Sequence, residues 1–135
     1  MYSKSILNRL QNLEYAGIVT NADAVGQVGS VALGDMIKLY LRIVDENVIT
    51  EAKFKAFGGV YTLVGCDLLC DLLINTTLET ALTIKGEDII TALGDLPKSK
   101  LHVADLIQLA VVDAIDDYRK KLAKAKSNQE KWVLC

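Results

Sequence analysis

Apolar and polar positions change period several times along this chain, and each change marks an element. From Ser5 to Leu13 the apolar residues Ile6, Leu7, Leu10 and Leu13 fall on one face of a helix. Val25–Val31 reads as a first strand interrupted by glycines, a sign of a bulge or of close backbone approach. Met36–Val44 alternates, with Ile37, Leu39, Leu41 and Ile43 on one side and Lys38, Tyr40 and Arg42 on the other. Asp45-Glu46-Asn47 makes a turn. Val48–Phe57 then returns, with Ala52, Phe54 and Ala56 opposite Glu51, Lys53 and Lys55, so the two runs predict an antiparallel hairpin.

The period next becomes helical. Leu63, Cys66, Leu69, Cys70 and Leu73 form a stripe within Tyr61–Ile74. Thr76 with Glu79 has the spacing of a capping box, followed by a short helix to Ala81. Gly86–Leu93 is another helix, closed by Gly94 and then Pro97. The longest helix is expected over Val103–Ala123. It turns Leu106, Ile107, Ala110, Ala114, Tyr118 and Leu122 inward and carries Arg119, Lys120, Lys121 and Lys124 at its C-terminal end. Ser127–Cys135 reads as a tail, giving a domain over residues 1–126 and a tail over 127–135. An antiparallel sheet with helices packed on one face is an α+β domain.

Composition narrows the class. A chain of 135 residues, 51% hydrophobic, fits one domain with a real core. A net charge of −2 gives no general attraction to nucleic acid or to an anionic membrane. No run approaches the roughly 18 apolar residues of a membrane span. Met1-Tyr2-Ser3-Lys4 leads straight into the first amphipathic pattern, unlike a signal peptide. Three cysteines form no disulfide framework, so a reducing cytoplasm is the expected compartment.

Three motifs carry a resemblance. Val28-Gly29-Ser30-Val31-Ala32-Leu33-Gly34-Asp35-Met36-Ile37-Lys38-Leu39 resembles the first ligand motif of the NifU/IscU-type iron–sulfur cluster scaffolds. Lys53-Phe54-Lys55-Ala56-Phe57-Gly58-Gly59 resembles the second, and Leu96-Pro97-Lys98-Ser99-Lys100-Leu101-His102-Val103 the third. Asn21-Ala22-Asp23, Leu78–Ile84 and Asp117-Tyr118 are similar as well, so the likeness runs from about Tyr2 to Lys121. It implies a three-stranded antiparallel sheet covered by helices, with a long C-terminal helix.

The departures fall on the ligands. The family's three cysteines correspond to Leu33, Gly59 and Val103. Asp35 and His102 occupy the positions of the family's aspartate and histidine, both able to ligate metal, and are the metal-binding candidates carried over. A conventional cluster needs about four ligands, mostly thiolates, and structural zinc needs four N or S donors. No cofactor is therefore expected; an iron–sulfur cluster or zinc is implied by the resemblance alone. The bland reading gives Asp35 a backbone hydrogen bond and lets His102 start the last helix.

Leu33, Val60, Tyr61 and Val103 form a candidate apolar cluster with two readings: an exposed contact surface, or loops collapsed into the core. Leu96, Pro97 and Lys100 keep part of the family's chaperone-recognition loop, which in many scaffolds has a second proline where Lys98 stands. The resemblance points to a cysteine desulfurase or another iron–sulfur scaffold as partner, or to a homodimer. The charge and the lack of a long apolar run leave nucleic acid and membrane out of the expected partners, and a kept scaffold without ligands is expected to interact rather than catalyse. Two other functions stay open. One is a metal-binding protein that completes Asp35 and His102 with ligands from a partner or second subunit. The other is a small-ligand pocket lined by Leu33, Tyr61 and Val103.

Other groupings read as ordinary structure. Cys66 and Cys70 share a helix face with leucines and read as small buried hydrophobes. Cys135, at the end of the chain, could accept sulfur but reads as incidental. Asp67, Asp71, Asp113, Asp116 and Asp117 read as solvated helix faces. Gly26-Gln27-Val28-Gly29 lacks the rest of a phosphate loop, and the single histidine supports no catalytic triad.

Overall fold

The structure, a computed structural model, describes residues 2–94 and 96–134, with side chains through Asn128. Cys135 lies outside the described residues. Helix α1 (Lys4–Gln11) starts at Ser3, whose hydroxyl accepts from the Ile6 N–H. Strands β1 (Ala24–Ser30), β2 (Asp35–Val44) and β3 (Val48–Phe57) form one antiparallel sheet in the order β1-β2-β3. Helices α2 (Val60–Leu73), α3 (Leu78–Leu82), α4 (Gly86–Leu93) and α5 (Leu101–Leu134) follow, and short 3-10 turns at Val31–Leu33 and Lys98–Lys100 punctuate the loops. The α+β architecture expected from the sequence is the one observed.

The alternation of β2 sets the layering. Ile37, Leu39 and Leu41 are fully buried, and Ile43 nearly so, as are Ala52 and Phe54 of β3. This inner face meets α2 and α5. The opposite face carries Lys38, Tyr40, Arg42, Glu51, Lys53 and Lys55. A register shift between Arg42 and Ile43 bends the hairpin end.

Three elements differ from expectation. Helix α2 is buried on nearly every side, including Tyr61, Thr62, Val64, Gly65 and Asp67. It lies among β3, α1, α4 and α5, so its apolar stripe widens to most of its circumference. The α3 cap is Thr77, whose hydroxyl accepts from the Thr80 N–H, whereas Thr76 donates to the Leu73 carbonyl at the end of α2. Helix α5 begins at Leu101 and runs unbroken to Leu134, so residues 127–134, expected as a tail, continue it. The run has no glycine or proline to stop it, and Lys126 pairs with Glu46 of the β2–β3 turn.

Three helix carboxylates expected to be solvated hold the fold together. Asp67 of α2 is fully buried, accepting from Arg9 Nη1 at 2.6 Å and from the Tyr15 N–H at 2.9 Å. Asp113 and Asp117 of α5 accept from the backbone N–H groups of Gln27 and Val25 at 2.8 and 3.0 Å. Their spacing of four residues, one helical turn, matches alternate residues on the free edge of β1, so α5 closes that edge. Asp116 is exposed and pairs with Lys120.

Candidate functional site

Asp35 opens β2, one residue after the left-handed Gly34 (φ +94°) that ends the 3-10 turn. Its position at the start of a paired strand fixes its backbone, with Ser30 as its partner on β1. Its side chain is only 15% exposed and both oxygens are occupied. Thr62 Oγ1, buried in the first turn of α2, donates to Oδ1 at 2.7 Å. His102 Nε2, at the start of α5, lies 3.1 Å from Oδ2. One carboxylate thus joins the sheet to the two central helices. The sequence-derived pair Asp35 and His102 is brought together. Thr62 was missed, because a threonine inside an apolar helical run carries no signal of its own.

The three positions that the sequence resemblance sets against the family's cysteines have different surroundings. Leu33 is 82% exposed on the 3-10 turn. Gly59, the N-cap of α2, has open space where a side chain would be. Val103 is buried in the core. None offers a sulfur, so this end presents one carboxylate and one imidazole, already hydrogen-bonded to each other. That donor set does not fit a conventional iron–sulfur cluster. Among the described residues no three His, Cys, Asp or Glu side chains gather as a metal site.

The expected apolar cluster splits. Tyr61 and Val103 belong to the core, Val60 is half-buried, and Leu33 alone projects into solvent. Tyr61 is covered by Tyr2, their rings edge to face at 5.3 Å. A cleft lined by Tyr2, Gly59–Thr62, Lys100 and Val103 has a volume of about 30 Å³, room on the order of one water, and Leu33 does not line it. In the chaperone-loop-like segment Leu96 is buried, while Pro97, which precedes the 3-10 turn, and Lys100, which ends it, are exposed.

A second polar cluster lies between α1 and α2. Asp71 accepts from the Tyr15 hydroxyl at 2.6 Å and from Arg9 Nη2 at 2.9 Å. Those two donors hold its carboxyl below the ordinary carboxylate range, against some burial. The Tyr15 hydroxyl is correspondingly pushed up by Asp71. Arg9, despite partial burial, is raised by Asp71 and Asp67. The Cys66 and Cys70 thiols are buried, and burial raises both. No helix among the described residues is long and apolar enough to cross a membrane.

Comparison with known proteins agrees with this architecture. A family model described as the NifU-like N-terminal domain matches residues 1–125. An iron–sulfur cluster assembly scaffold protein IscU of Archaeoglobus fulgidus is 34% identical over 130 residues, which is 96% of this chain and 84% of that protein. The IscU scaffold of Escherichia coli K12 is 32% identical over 123 residues, covering 89% of this chain and 95% of its own. A crystal structure from Fervidobacterium islandicum, described as an assembly scaffold for the SUF system, superposes with a TM-score of 0.71. It covers 84% of this chain and 96% of that one at 18% identity, a likeness of fold. These names describe scaffolds, in keeping with the non-enzyme expected from sequence. By the family match and these identities the chain belongs to the NifU-like N-terminal domain family of iron–sulfur cluster assembly scaffolds.

Proposed function

We propose that this chain is a diverged scaffold that does not assemble a conventional cluster and acts through protein–protein contacts in iron–sulfur biogenesis. The observation that carries the reading is the donor set at the Asp35 end. Leu33, Gly59 and Val103 supply no thiolate, and the two remaining donors are committed to one another. Val31 and Leu33, both exposed on the same 3-10 turn, form an apolar tip that suits contact with another protein better than it suits holding cargo. A cysteine desulfurase or a cluster-bearing scaffold is the class of partner that the relatives' described role suggests. The test is iron and sulfide analysis on protein purified without oxygen, repeated after Fe²⁺ and sulfide are offered. Sub-stoichiometric iron and sulfide are expected; one cluster per chain would overturn the reading.

One observation favours a second reading. Asp35 Oδ2 and His102 Nε2 are close enough to share one metal ion, whose remaining ligands would come from a partner or a second copy. Zinc binding that disappears in His102→Ala would support it. Binding unchanged by that substitution would reject it.

A further inference from the structure

The sheet face turned away from the helices is paired in a way that stability alone would not choose. In the β2–β3 register Lys38 stands opposite Lys55, and Tyr40 opposite Lys53. Like charges facing across a ladder destabilise it. On the β1 side the same rows end in Gln27 and Val25, which carry no charge. Lys53 and Lys55 are exposed, while Lys38 holds its ammonium 5.6 Å from the Tyr40 ring centroid. Among the described residues no carboxylate lies within ion-pair distance of these three lysines, although Arg42, in the next row, has Asp23. Toward the Asp35 end the band gives way to Met36 opposite Phe57, a ring 49% exposed. A chain with a net charge of −2 thus concentrates, on the sheet face turned away from α2 and α5, three ammonium groups without a carboxylate partner among the described residues, beside an exposed aromatic ring.

We propose that this open sheet face docks an acidic segment of another protein, with carboxylates over Lys38, Lys53 and Lys55 and an apolar side chain against Phe57. Charge complementarity defines the occupant: the partner supplies the anions that the rows lack, which raises association rate and fixes register. A single-stranded nucleic acid is the less favoured occupant. It stacks on free aromatic faces, and the cation of Lys38 already lies near Tyr40, leaving Phe57 alone. The remaining surface, negative overall, would repel a polyanion longer than the patch.

The test is a titration of ¹⁵N-labelled protein with a glutamate-rich peptide carrying one phenylalanine, followed by amide shifts, in parallel with oligothymidine. Expected are shifts confined to β2, β3 and Gln27, strong salt dependence, and binding weakened about tenfold, or roughly 1.4 kcal/mol, in the Lys38→Gln/Lys55→Gln double variant. Lys126→Gln, at the other end of the sheet, should leave binding unchanged. The double variant should melt at or above the parent's temperature, since a like-charge pair has been removed, and so remain a folded control. Peptide binding indifferent to the double variant, shifts elsewhere, no binding at millimolar peptide, or tighter binding of oligothymidine would overturn the proposal. The readout is independent of iron content, so it stands or fails apart from the reading of the Asp35 end.

Discussion

The Thr62 hydroxyl donates to Asp35 Oδ1 at 2.7 Å, across a gap that a side chain at position 58 would fill. A Cβ on Gly58 would lie 2.5 Å from that oxygen and 2.9 Å from Thr62 Oγ1. The bond ties the first residue of β2 to the first turn of α2, so it sets how the sheet meets its central helix. Thr62→Val keeps the shape and removes the donor, and should cost about 1–2 kcal/mol. Gly58→Ala should cost a similar amount by forcing the pair apart. Combined, the two should fall short of additive, since both remove the same bond. Urea unfolding of the two single variants and the double closes the cycle; full additivity would show that the bond contributes nothing.

Asp67 and Asp71 lie one turn apart on α2 and share Arg9, yet their surroundings differ. Asp67 is fully buried and satisfies both a guanidinium and the Tyr15 N–H; Asp71 is half in solvent. Asp67→Ala leaves Arg9 and a backbone donor without their buried partner and should cost about 3–5 kcal/mol. Asp71→Ala removes an exposed pair and should cost less than about 1 kcal/mol. Denaturation midpoints of the two variants decide this; equal losses would contradict the burial.

Acid should weaken the fold through carboxylates held low in the native state. Asp71 is lowered by the Tyr15 hydroxyl and Arg9. Asp117, although burial works to raise it, is lowered on balance by Lys121 and the Val25 N–H. A group depressed on folding contributes stability that is present above its unfolded value, near 3.9 for aspartate, and is lost as pH falls through the lower folded value. Urea midpoints should therefore hold steady from about pH 7 to 5 and drop below about pH 4. Tyr15→Phe, which removes the first donor to Asp71, should flatten that drop. A steeper drop in the variant would reverse the assignment.

The strands, the hairpin and α4 were legible because alternation and glycine punctuation are local signals. Val48–Phe57 and Gly86–Leu93 fall where the pattern placed them. The polar interior was not legible. Asp67 looks like a solvated carboxylate until α1 brings Arg9 across 58 positions of sequence to meet it. Asp113 and Asp117 gain their roles only because α5 lies along the free edge of β1. At the candidate site, Asp35 and His102 were readable through the family's motifs. Thr62 was not, since its hydroxyl acquires meaning only when Gly58 lets it reach Asp35. The apolar cluster divided because Val103 faces inward on α5, while Leu33 sits on a 3-10 turn that faces solvent.

Cys66 and Cys70 share a face of α2 at a spacing that would suit two metal ligands, but both are buried among core residues. Burial raises both thiols, so little thiolate forms at neutral pH. In native protein neither should react with a thiol-specific disulfide reagent over minutes, and both should react on denaturation. Mass spectrometry of the labelled chain locates the sites. Labelling of either in the native state would show that α2 opens far more readily than its packing implies.

Gly26 sets how closely α5 approaches the sheet. A Cβ there would sit 2.6 Å from both the Ala110 carbonyl oxygen and the Ala114 nitrogen, and 2.9 Å from the Ala114 Cβ. Two of these three contacts are helix backbone, which cannot swing aside, so Gly26→Ala must push α5 away from β1. The cost should reach or exceed the upper end of the about 1–3 kcal/mol typical of overpacking. The same movement lengthens the bonds from Val25 and Gln27 to Asp117 and Asp113, so those two amides should exchange with deuterium faster than their neighbours in β2. Ala114→Gly in the same chain relieves only the Cβ contact and should restore a minor part of the loss. Full recovery would mean that the side chain, not the helix backbone, sets the distance between α5 and the sheet.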